Sequence, residues 1–136
     1  MMCGNGCARV KKFSEEELYA DITRILTALC FKQKYSGYRY VREAVRFAVQ
    51  QEYCGGISKS IYPLIAKQNG ISSAAVESGI RSAIRKAWQL TDSATKRELF
   101  GAYGQFEQHV PSNSEFVYMI AERLVYNGSV NKNRLC

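Results

Sequence analysis

A chain of 136 residues with 46% hydrophobic side chains has the length of one domain and enough apolar mass for a core. Its apolar runs last only a few residues, which excludes a membrane-spanning helix, and five scattered cysteines exclude a disulfide framework. No charged-then-apolar leader opens the sequence, so a reducing cytoplasm is the expected setting; the formal charge of +7 suits an anionic partner without identifying one.

Residues 1–12 are small, polar and basic and read as a loose tail. Cys3 and Cys7 lie in it, but no second pair at zinc spacing follows, so free thiols are expected and no metal. Ser14 and Glu17 then form a capping box, with Phe13 and Leu18 as a hydrophobic staple. Glu15, Glu16 and Glu17 favour the positive end of the helix dipole. Leu18, Ile22, Ile25, Leu26 and Leu29 recur at helical spacing, and the helix is expected to reach about Phe31.

Ser36-Gly37 restarts the chain. Tyr40, Val41, Ala44, Val45, Ala48 and Val49 make the next apolar stripe, stopped near Cys54-Gly55-Gly56. A short helix is expected over about 60–69, with Pro63 in its first turn. A longer one follows over about 73–89, then another short one over 92–100. Gly101-Ala102-Tyr103-Gly104 lacks the lysine and serine of a phosphate loop and reads as a turn. After Pro111, Ser112 and Glu115 form a second capping box, opening a last helix to about Tyr126; residues 128–136 are expected to be a flexible tail. Strand-like alternation is absent. The expectation is a single all-α domain of about six helices over 13–127.

The stretch 71–90, ISSAAVESGIRSAIRKAWQL, decides the function. Val76, Ile80, Ala83, Ile84, Ala87 and Trp88 fall on one side of a helical wheel and form the core face. Ala74, Ser78, Arg81, Ser82, Arg85 and Gln89 fall opposite, with Glu77 at the edge. The first half of that outer side is small and includes Gly79, which costs about 1 kcal/mol against alanine inside a helix. Such a glycine suits a helix that lies close against another surface. Ahead of it, Ile65-Ala66, Asn69-Gly70-Ile71 and Val76 have helix-turn-helix spacing. Gly70 provides the tight turn, while Ile71 and Val76 plug the angle between the helices. In such motifs the second helix enters the DNA major groove. An ordinary helical hairpin has the same pattern.

Charge gathers near this stretch. Residues 32–53 hold five basic and two acidic side chains, 59–90 hold five and one, and 91–126 hold three and five. Other constellations are weak. His109 is the only histidine and has no evident acid or nucleophile partner, so no enzyme and no cofactor are expected. Tyr35, Tyr38 and Tyr40 read as core and helix-junction packing rather than base-stacking platforms, and Trp88 as core.

Several segments carry a family resemblance. Gly37-Tyr38-Arg39-Tyr40-Val41-Arg42-Glu43-Ala44-Val45 resembles the second-helix signature of the DNA-binding effector domain of the sporulation-initiation response regulator of endospore-forming Firmicutes. Ile61-Tyr62-Pro63-Leu64-Ile65-Ala66-Lys67 is similar to its first helix-turn-helix segment. Val76-Glu77, Ile80-Arg81-Ser82-Ala83-Ile84 and Ala87-Trp88 are similar to its recognition helix, and Pro111-Ser112-Asn113-Ser114-Glu115-Phe116 to the start of its last helix. The likeness spans about 15–126. It implies a six-helix domain that binds a short double-stranded promoter element as a transcriptional regulator, often as head-to-tail pairs.

By that resemblance, Glu77 and Arg81 match base-contacting positions. Ser78 and Ser82 are expected to add weak or water-mediated contacts. Lys59, Lys67, Arg85 and the helix N-terminus at Ser73 and Ala74 are expected to hold phosphates. Contact with RNA polymerase or another regulator is a further expected partnership, and no membrane is involved. Two departures stand out. Only a short tail precedes the first helix, so no receiver domain is expected. Ser78 stands where the family usually carries arginine, and serine reads bases less selectively than a bidentate arginine. The second departure keeps an alternative open, a helical interaction module that pairs with or blunts a full-length regulator and has little DNA affinity of its own.

Overall fold

The computed structural model describes residues 14–51, 57–101 and 109–135. The tail with Cys3 and Cys7, the Phe13 half of the staple, the Cys54-Gly55-Gly56 stop and the turn from Ala102 to Gly104 lie outside the described residues. The described residues form six α-helices and no strand: α1 (Glu15–Ala28), α2 (Ser36–Gln51), α3 (Tyr62–Asn69), α4 (Ser73–Leu90), α5 (Ser93–Phe100) and α6 (Asn113–Leu135). A single wide turn of π-helix, Ile57–Ile61, leads into α3.

The expected capping boxes are both formed. The Glu17 N–H donates to Ser14 Oγ at 3.0 Å, and the Ser14 N–H donates back to Glu17 Oε1 at 3.4 Å. At the start of α6, the Ser112 N–H donates to Glu115 Oε1 at 2.9 Å and the Glu115 N–H to Ser112 Oγ at 3.2 Å. Between them, Asp92 caps α5 by accepting from the Thr95 N–H at 2.8 Å. Three helix starts are thus satisfied locally by side chains.

Helix ends depart from expectation in two places. α1 stops at Ala28, short of Phe31, because Cys30 turns left-handed at φ 67° and the Phe31 N–H returns to the Leu26 carbonyl at 3.0 Å. That closure normally uses glycine or asparagine, so cysteine gave no warning of it. α6 continues to Leu135, past the expected end near Tyr126. No proline interrupts 127–135, and a lone interior glycine such as Gly128 costs a helix only about 1 kcal/mol.

α2 is the central helix. Its Val41, Ala44, Val45 and Ala48 are buried, and it packs against α1, α4 and α6. An aromatic cluster closes the other side of the core. Phe31 and Phe116 rings lie 5.5 Å apart, Trp88 and Phe100 5.3 Å, and Phe100 and Phe116 5.8 Å. Trp88 is therefore core, as its place on the stripe predicts. Tyr38 and Tyr40 are buried too, while Tyr35 stays 49% exposed at the turn before α2. Thr91 seals the junction after α4. It is buried, and its hydroxyl sits 2.9 Å from the Leu29 carbonyl and 2.8 Å from that of Ala87.

Candidate nucleic-acid interface

The helix-turn-helix spacing folds as the residues predict. Gly70 adopts φ 66°, ψ 35° and caps α3. Its N–H and that of Ile71 both donate to the Ala66 carbonyl, satisfying an end that would otherwise be bare. A Cβ on Gly70 would meet nothing within 4 Å, so the glycine is there for its backbone angle and not for space. Ala66 and Val76 are buried where the two helices meet, with Ile71 packed against the core. Ser72 caps α4, its Oγ accepting from the Ala75 N–H at 3.1 Å.

α4 divides as its wheel predicts, except that Ala83, expected in the core, is only partly buried. Val76, Ile80, Ile84, Ala87 and Trp88 are buried. Ala74, Glu77, Ser78, Arg81, Ser82 and Arg85 are exposed, and Ser73 is half-buried at the first turn. Lys59 and Lys67 are exposed on the segment that leads through α3. The candidate residues therefore fall on two segments, most of them on α4.

On that outer face Arg81 Nη2 lies 2.9 Å from Glu77 Oε2, one helical turn away, with the two side chains 44% and 49% exposed. An exposed pair of this kind contributes only a few tenths of a kcal/mol to stability. It biases the guanidinium towards one orientation and lowers the local positive charge.

Gly79 does not belong to this face. An added Cβ there would come within 3.0 Å of the Tyr40 ring, and one on Gly37 would come within 2.8 Å of the Ala83 Cβ and the Gly79 carbonyl. The close surface that Gly79 serves is α2. Sequence periodicity places Gly79 among the small outer residues, but the crossing of α2 turns that flank inward.

The charge available to a partner is also less than the composition suggests. Arg46 is only 13% exposed and binds Glu43 at 2.8 Å, with Glu15 at 3.5 Å. Tyr19 donates its hydroxyl to Glu43 at 2.6 Å, and the Arg42 guanidinium lies 5.0 Å from the Tyr19 ring centre. Burial works to raise the Glu43 carboxyl, but the hydrogen bonds from Tyr19 and Arg46 and the charges of Arg46 and Arg42 hold it below its ordinary value. Burial, with the Glu43 hydrogen bond added, pushes the Tyr19 hydroxyl up. These arginines staple α1 to α2 and add little to the positive surface that α4, Lys59, Lys67 and the α1–α2 turn present.

Periodicity could not locate the neighbour of the α4 face. Asn113 Nδ2 donates to the Glu77 carbonyl at 3.1 Å and to the Tyr62 hydroxyl at 2.9 Å. One side chain thus ties the start of α6 to the second turn of α4 and the start of α3. Beside it a cleft of about 460 Å³ is lined by Arg81, Arg85, Tyr62 and residues 110–115. The only sequence signal was the second capping box, which fixes the start of α6 without saying what it touches.

A family model described as the sporulation initiation factor Spo0A C terminal matches residues 22–124 of the chain. This chain belongs to that family. The match runs from the middle of α1 into α6 and takes in the whole helix-turn-helix. Members of the Spo0A C-terminal family are transcription-factor domains that generally bind DNA, which agrees with the exposed polar face of α4. No described helix is long and apolar enough to cross a membrane.

Proposed function

We propose that this Spo0A C-terminal domain binds double-stranded DNA sequence-specifically as a cytoplasmic transcriptional regulator, with α4 in the major groove. The observation that carries the reading is the α4 outer face, where Glu77, Ser78, Arg81, Ser82 and Arg85 stand exposed together behind a fully buried apolar stripe. Arg81, oriented by Glu77, reads a base edge, and Glu77 itself accepts from a base amino group. Ser78 and Ser82 contribute short or water-mediated contacts. Arg85, Lys59 and Lys67 hold phosphates, as do the free N–H groups at Ser73 and Ala74. Two domains bind adjacent sites in tandem on DNA, and the free domain is a monomer. RNA polymerase or another regulator is a further partner.

A second reading has one specific observation in its favour. Ser78 is exposed at the position where the family usually carries arginine, so the face offers one long bidentate donor fewer. On that reading the scaffold pairs with a full-length regulator and binds DNA poorly. Selection of binding sites from random duplexes separates the two. An enriched motif supports DNA recognition; a folded protein that enriches none supports the pairing module.

A further inference from the structure

The α1–α2 turn and residues 79–90 of α4 border a half-open cavity of about 420 Å³. Small-molecule sites typically run from roughly 300 to 1,000 Å³ and combine apolar walls with a few polar groups. Phe31, Tyr38 and Ala87, all buried, contribute to its lining. The outer wall includes Tyr35 and Leu90, which are 49% and 61% exposed. Among the described residues only three large hydrophobic side chains are at least this exposed, Tyr35, Leu90 and Tyr126, and two of them meet at this one cavity. An apolar surface left open in a concave place is a site for an apolar body.

The charge of the lining narrows the choice. Lys32 and Lys86 line the cavity and no aspartate or glutamate does. The Lys86 ammonium rests 5.1 Å from the Tyr35 ring centre, which keeps it beside the apolar wall. Ser36 and Gln89 add hydrogen-bonding groups. A neutral hydrocarbon would leave two ammoniums unused. An inorganic anion would leave the apolar wall uncovered.

We infer that this cavity binds a small amphipathic anion, an aliphatic or aromatic monocarboxylate, with its apolar body against Phe31, Tyr38 and Leu90 and its carboxylate between Lys32 and Lys86. The site excludes the Glu77–Arg81 pair but shares Ser82 with the proposed DNA face, and its assignment does not rest on DNA binding. Gly79 and Ser82 form part of its wall, so the ligand lies against the flank of α4.

The test is an amide chemical-shift titration of the full chain without DNA, using octanoate, 1-octanol and inorganic phosphate as probes. Octanoate should give saturable shifts at Tyr35, Ala83, Lys86 and Leu90, with a dissociation constant below about 1 mM. Octanol should bind about tenfold more weakly, and phosphate should leave those four residues unmoved. The double change Lys32→Gln with Lys86→Gln should weaken octanoate about tenfold, the weight of one charge-assisted hydrogen bond, and leave octanol unchanged. Both lysines are exposed, so the rest of the spectrum should stay in place and report a folded domain. Equal binding of octanoate and octanol, the same shifts from phosphate, or no effect of the double change would each overturn the assignment.

Discussion

The Glu77 carboxylate and the Arg81 guanidinium meet 2.9 Å apart on the exposed side of α4, so the proposed reading arginine is paired and biased in orientation before any DNA arrives. Arg81→Ala should cost about 1–3 kcal/mol on the preferred site and relax the preference at one base pair. Glu77→Gln should act differently, strengthening binding to random duplexes while reducing discrimination, because it unmasks a cation and turns one carboxylate oxygen into an amide donor. Competition binding against a panel of single-base variants distinguishes the two. Unchanged base preference in a folded Arg81→Ala protein would remove α4 as the reading element.

Arg85→Ala should weaken all sequences about equally, as a phosphate contact does. With roughly four to six phosphate contacts in all, log K should fall against log salt with a slope of about −4 to −5, and Arg85→Ala should make it shallower by about one. A flat salt titration of the unaltered chain would argue for the pairing module instead.

Gly37→Ala should destabilise the fold by about 1–3 kcal/mol, since its Cβ would press on the Gly79 carbonyl, which is backbone and cannot rotate away. Gly70→Ala has open space but a left-handed backbone, and should cost about 1–2 kcal/mol by strain alone. Only the first should also weaken DNA binding beyond its effect on stability, because it shifts α4 against α2. Denaturant melts alongside binding isotherms check the pair.

Thr91→Val keeps the shape of a buried side chain and removes its hydroxyl. The single hydroxyl proton serves either the Leu29 or the Ala87 carbonyl at a given moment, and the change leaves both without it. A loss of about 1–3 kcal/mol is expected in chemical denaturation.

Glu43 sets an acid limit on stability. Its folded carboxyl lies below the ordinary value, so its contribution is complete above the unfolded pKa of about 4.3 and disappears as pH falls through the folded value. Glu43→Gln should be clearly less stable than the original chain at pH 7, and that gap should narrow in acid. Asp92, accepting from Thr95, shifts in the same direction and adds to the acid loss in both proteins. Denaturation midpoints from pH 7 down to 3 give the comparison; a gap independent of pH would show that the Glu43 charge is not the cause.

Much of the architecture was legible because it rests on local chemistry. Ser14 with Glu17, Ser112 with Glu115, and the Gly70 turn act within a few residues, and the α4 stripe repeats in one dimension. What was not legible depends on contacts between distant segments. Gly79 looks outward on a wheel until α2 crosses it. Arg42 and Arg46 count as free charge until Tyr19 and Glu43 close around them. Asn113 is an unremarked residue of a capping box until it meets Tyr62, 51 positions away. The left-handed turn at Cys30 had no sequence marker at all.

The tight seat of α4 on α2 also bears on how this domain can change its preferences. With Gly37 and Gly79 face to face, the helix is fitted to its neighbour at a point one residue away from Ser78 and two from Arg81. Exchanging the outward side chains leaves that fit intact, so on the proposed reading new specificities are open to single substitutions. Transplanting the whole segment from a relative is another matter. A donor helix with a side chain at the Gly79 position would press on the Tyr40 ring, and unless that ring gave way the proposed contacts would be displaced with the helix.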